Sequence, residues 1–76
     1  MADEYHVQCE LGNGDSRMVS WIPEKYAKKN KQLKLREENG QWEDGWVVIN
    51  TYGKRLSTYC SLHERDYTRQ REASDI

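Results

Sequence analysis

The stretch from Trp42 to Tyr52, Trp-Glu-Asp-Gly-Trp-Val-Val-Ile-Asn-Thr-Tyr, is the only run in the chain apolar enough to form the centre of a fold. β-Branched and aromatic residues dominate it, which favours a pleated strand over a helix. Read with a period of two, Trp46, Val48, Asn50 and Tyr52 point one way and Val47, Ile49 and Thr51 the other. Both faces have something to bury, as in a central strand. Gly45 and Gly53 bound the run with turn or bulge freedom.

The remaining segments read as partners of that strand. Tyr5, Val7, Cys9 and Leu11 alternate with His6, Gln8 and Glu10, which predicts a first strand with one buried face. Gly12-Asn13-Gly14-Asp15 is a dense turn signal, and Arg17 to Ile22 can return antiparallel. Pro23 has no amide proton and should end that strand, with Glu24 to Lys29 forming one helical or 3₁₀ turn. Leu33 and Leu35 alternate with Lys34 and Arg36, and Glu38-Asn39-Gly40 turns that strand into the Trp42 run. Leu56, Thr58, Cys60 and Leu62 against Ser57, Tyr59, Ser61 and His63 predict a last strand; Ser61 with Glu64 offers a competing capping box.

Seventy-six residues support one domain, and a chain this short buries only roughly 60% of its unfolded surface, so its core is small. Only 36% of residues are hydrophobic, and three Trp and five Tyr compensate because each ring buries a large area. The expected fold is mainly β: a strongly bent antiparallel sheet of about five strands, closing on itself as an SH3-like barrel over residues 1–63. Residues 64–76 carry dense mixed charge and read as a charged C-terminal tail or short helix.

Charge and hydropathy exclude several function classes. Twelve Lys plus Arg against thirteen Asp plus Glu leave a formal charge of −1, which draws no polyanion globally. No apolar run approaches the roughly 18 residues of a membrane span, and the start lacks the basic and apolar regions of a signal peptide. A cytoplasmic chain with reduced thiols at Cys9 and Cys60 is expected, with no membrane contact.

Chemistry-bearing residues are few. His6-x-x-Cys9 and Cys60-x-x-His63 form a mirror pair that uses every His and Cys and could in number satisfy a tetrahedral zinc. Residues three apart on a strand face opposite sides, however, so an inward Cys9 places His6 outside. Unreactive buried thiols and no metal or other cofactor are expected. Glu37-Glu38 and Glu43-Asp44 are adjacent acids in turns, where solvation is the ordinary explanation, and no Ser–His or Cys–His pair has supporting spacing. Gly12-x-Gly14 lacks the helix and further Gly or Lys of a phosphate cradle. No enzyme is expected.

Two surfaces remain. Lys25, Tyr26, Lys28, Lys29, Lys31, Lys34 and Arg36 form a basic block that could track nucleic acid, although acids follow it closely. Trp42 and the C-terminal Tyr67, Arg69, Arg71 and Ile76 offer an aromatic and cationic surface for a protein partner.

Trp21-Ile22-Pro23, Leu33-Lys34-Leu35, Trp42-Glu-Asp-Gly-Trp46, Arg65-Asp-Tyr67 and the terminal Arg71-Glu-Ala-Ser-Asp-Ile76 resemble a group of small uncharacterised proteins of tailed bacteriophages. The resemblance implies a phage-encoded protein at work in the host cytoplasm and carries no activity, cofactor or site. The sequence therefore predicts a non-enzymatic binding module for a host or phage protein, with nucleic-acid binding and self-association into a homo-oligomer as alternatives.

Overall fold

The alternation at the start of the chain builds a hairpin of β1 (Tyr5–Asn13) and β2 (Ser16–Pro23) around the two-residue turn Gly14–Asp15. Gly14 sits at φ +62°, the left-handed conformation that such a turn requires. Pro23 closes β2 as its last residue, and a 3₁₀ turn, Glu24–Tyr26, follows at once. A second hairpin joins β3 (Gln32–Arg36) to β4 (Trp42–Leu56) through a turn with Gly40 at φ +88°. The final strand is β5 (Ala73–Asp75). A computed structural model describes residues 3–37, 39–58 and 70–76.

All pairings between these strands are antiparallel, in the order β2-β1-β4-β3-β5, so the Trp42 run is the middle strand as its composition predicts. It is longer than the apolar run and strongly irregular. Two steps along β3 (Leu33 to Leu35) face three along β4 (Glu43 to Trp46), two along β1 (Val7 to Cys9) face three (Thr51 to Lys54), and one (Glu10 to Leu11) faces two (Val48 to Asn50). Each extra residue bends β4 and increases its twist, which lets 15 residues wrap a small core instead of running flat.

The core lies on one face. Cys9, Leu11, Ile22, Leu33, Leu35, Trp46 and Val48 are buried, with Val7, Met18, Tyr26, Ala27 and Ala73 packed against them. Ser20 is the buried polar residue of this core, and its hydroxyl donates to Met18 Sδ at 3.3 Å. The extra residue at Ile49 reverses the inward phase, so Asn50 and Tyr52 do not share the face of Trp46 and Val48 as strict alternation requires. They are exposed and both donate to Glu10 Oε1, at 3.2 and 3.3 Å.

The C-terminus also departs from expectation. Residues 73–75 are neither tail nor helix but an edge strand, pairing Ala73 with Leu35, Ser74 with Lys34 and Asp75 with Leu33. The Arg36 amide donates to Glu72 O (3.0 Å), while Lys31–Asp75 (2.7 Å) and Arg36–Glu72 (3.0 Å) ion pairs flank the strand. Just before it, Gln70 makes an isolated parallel bridge to Trp21, and the Arg71 amide donates to Trp21 O (2.9 Å). The segment thus reaches from the β2 edge to the β3 edge, tying the two ends of the unclosed sheet together. The strand expected over 56–63 does not form as such: Leu56 ends β4, Ser57 and Thr58 make a turn, and residues 59–63 lie outside the described residues.

Candidate functional site

Where the two sheet edges approach each other, a cleft of about 720 Å³ opens. Three elements supply its aromatic rings: Tyr5 at the start of β1, Tyr26 in the 3₁₀ turn and Trp42 at the start of β4. Each ring carries a lysine ammonium, Lys54 at 4.8 Å from Tyr5, Lys25 at 5.1 Å from Tyr26 and Lys34 at 5.6 Å from Trp42. Such contacts hold the rings in place with their apolar bodies still available to a ligand. Tyr26 packs partly against the core, and Trp42 is 41% exposed.

The polar side of the cleft is organised by Ser57. Its amide donates to Glu4 O (2.8 Å), its carbonyl accepts from Gln70 Nε2 (3.2 Å), and its hydroxyl lies 2.7 Å from His6 Nδ1. These bonds join the start of β1, the end of β4 and the segment before β5. The Ser57–His6 pair has the distance of a nucleophile and base, a juxtaposition that sequence spacing does not reveal because the residues are 51 apart. Its surroundings differ from those of a hydrolytic site. The Ser57 amide, the natural oxyanion donor, is committed to Glu4 O, and no carboxylate hydrogen-bonds the other His6 nitrogen among the described residues. The pair reads as a structural tie.

Burial holds His6 below the usual imidazole range, the nearby Arg55 charge pushes the same way, and Glu4 opposes them. Because the folded state takes up this proton at lower pH than the unfolded chain, stability falls as pH drops from the unfolded value of 6.5 through the lower folded pKa. A His6→Gln variant is expected to lose this part of the acid limb. Urea midpoints of both proteins at several pH values between about 7.5 and 5 would show it. Parallel profiles would remove His6 from the pH response.

The sequence-derived residues distribute unevenly. Trp42 and Arg71, both assigned to a protein-binding surface, meet in the cleft, whereas Ile76 is 66% exposed outside it. Tyr67 and Arg69 lie outside the described residues, as do Cys60 and His63 of the mirror pair. Cys9 faces the core, where burial pushes its thiol up to about 11, while His6 lines the cleft. The two therefore diverge as strand parity requires, and no cluster of three metal-ligating side chains occurs among the described residues. The basic block is dispersed: Lys31 and Arg36 are ion-paired to Asp75 and Glu72, Lys25 and Lys34 lie over aromatic rings, and Lys28 and Lys29 are exposed in the loop.

Tyr5, Ser57 and Gln70 are the site residues that sequence reasoning misses. Tyr5 reads as one more inward strand residue, and nothing local to Ser57 or Gln70 marks them. No described helix is long and apolar enough to cross a membrane. Comparison with family models, curated proteins and solved structures finds no match, so the reading of the cleft rests on its own geometry.

Proposed function

We propose that this chain is a non-enzymatic protein-binding module, phage-encoded and SH3-like in type, that takes a segment of a host or phage protein into its cleft in the host cytoplasm. One observation carries the reading: three aromatic side chains from three separate elements converge on one concave site. Aromatic anchors beside cations are what protein interfaces use to bury area while keeping orientation. The bent five-stranded sheet and the resemblance to small phage proteins support the same reading.

The basic block gives less support to nucleic acid, since ion pairing removes two of its cations from the footprint a phosphate backbone would need. Self-association draws on scattered exposed residues, Tyr52, Leu56 and Ile76, rather than one concave site.

The test is capture of tagged protein complexes from bacterial lysate with and without nuclease. A discrete protein retained after nuclease, lost on Trp42→Ala combined with Tyr26→Ala and kept on Tyr52→Ala, is expected. Recovery abolished by nuclease would move the function to nucleic acid. Equal loss from the outer-face Tyr52 variant would place the binding surface elsewhere.

A further inference from the structure

We propose, on the reading of the cleft as a protein-binding site, that Arg71 and Gln70 recognise an acidic side chain on an extended segment of the partner protein. Arg71 lines the cleft, and its guanidinium makes no hydrogen bond or ion pair with a described residue; its Nε is buried without an acceptor. Beside it, Gln70 uses Nε2 on Ser57 O, and its Oε1 is buried without a donor. Buried polar atoms in folded proteins are almost always satisfied, so a donor and an acceptor left open on adjacent residues call for an explanation. Looseness is not one: the Arg71 amide is bonded to Trp21 O at 2.9 Å, and Gln70 is bridged to the same residue.

The neighbouring charges define what fits. Glu24 and Glu72, which also line the cleft, are held by Lys54 (3.3 Å) and Arg36 (3.0 Å). Arg71 is therefore a cleft cation with no ion-pair partner among the described residues. A carboxylate matches its planar fork through two parallel N–H···O bonds, and a peptide N–H next to that carboxylate matches Gln70 Oε1. Asp3 and Glu4, just before β1, line the same cleft and repel a second negative group. This favours one carboxylate at Arg71 over a phosphate backbone, which would carry a row of charges past those acids.

The test uses a display library of random ten-residue peptides selected on the immobilised full-length protein, followed by affinity measurement on enriched peptides. Selected peptides are expected to carry Asp or Glu at one fixed position. Changing that residue to Asn or Gln should weaken binding about 10- to 100-fold, the range of a lost charge-assisted hydrogen bond. Arg71→Gln should cause a similar loss and make the acidic and amide peptides equivalent. Arg71→Lys should restore only part of the preference, because it keeps the charge without the fork. The Arg71 side chain makes no polar contact with a described residue, so an unchanged thermal midpoint should accompany these losses. Peptides that bind through Trp42 with no acidic preference, or whose preference survives Arg71→Gln, would overturn the carboxylate assignment and leave the cleft reading intact. A library yielding no binders would overturn both. Displacement of selected peptides by oligothymidylate but not by polyglutamate would replace the carboxylate with phosphate.

Discussion

Replacing Trp46 with Ala is expected to remove about 3–5 kcal/mol of folding stability, the largest loss from any single side chain among the described core residues. Trp46 is only 4% exposed, lies on the middle strand and stands opposite Leu33 in the register. Its ring therefore occupies the centre of a core with few other large residues, and a small domain has little material to collapse into the hole. The indole N–H adds a hydrogen bond to Glu43 Oε1 at 2.9 Å. A domain of this size has on the order of 5–10 kcal/mol in all, so the variant should be substantially unfolded or close to it at room temperature. Trp46→Phe keeps most of the apolar volume and loses the hydrogen bond, and should fall between the two. Urea denaturation decides the matter: a shift in midpoint with unchanged slope reports the stability difference. A loss below about 1 kcal/mol for the Ala variant would mean that the core is centred elsewhere.

Such a core was visible in the sequence because alternation is the signal a half-buried strand leaves. Cys9, Leu11, Leu33 and Leu35 are inward where a period of two places them, and Trp46 with Val48 forms the inward pair of the central run. Alternation is also why reading stops where it does. The extra residue at Ile49 shifts the phase by one, and no glycine marks it, so Tyr52 turns outward without a local warning. β5 is invisible for a different reason. Ala73-Ser74-Asp75 has weak strand propensity, and its conformation is set by the edge of β3 and by the ion pairs of Lys31 and Arg36.

The cleft divides along the same line. Trp42 and Arg71 carry chemistry that any sequence reading notices, and both are there. What brings them together is the path of the last residues from Trp21 to Leu35, a fact of register rather than composition. The basic block shows the converse. Six cations within twelve residues look like one surface, yet strand alternation and partners near the C-terminus divide them among two ion pairs, two ring contacts and a loop.

Gly45→Ala is expected to cost about 2–3 kcal/mol, against about 1 kcal/mol for Gly14→Ala, and the difference locates a second constraint beyond the backbone. Both glycines adopt the left-handed region, at φ +92° and +62°. At Gly14 an added Cβ meets nothing within 4 Å, so only conformational strain remains. At Gly45 the same atom would lie 3.1 Å from Asn13 Oδ1, and the Asn13 amide is fixed by donating to Asp44 O at 2.9 Å. The Asn13 amide must therefore give by a few tenths of an ångström, against the bond that holds it. Gly45 also provides the extra residue between Glu43, opposite Leu35, and Trp46, opposite Leu33. Trp42 and Trp46 are four apart and would share one face of a regular strand. The irregularity breaks that parity, letting one ring fill the core while the other lines the cleft. Combining Gly45→Ala with Asn13→Ala in a double-mutant cycle separates the contributions. Relief of about 1 kcal/mol in the double variant would assign the excess to Asn13, whereas strict additivity would assign the whole cost to the backbone.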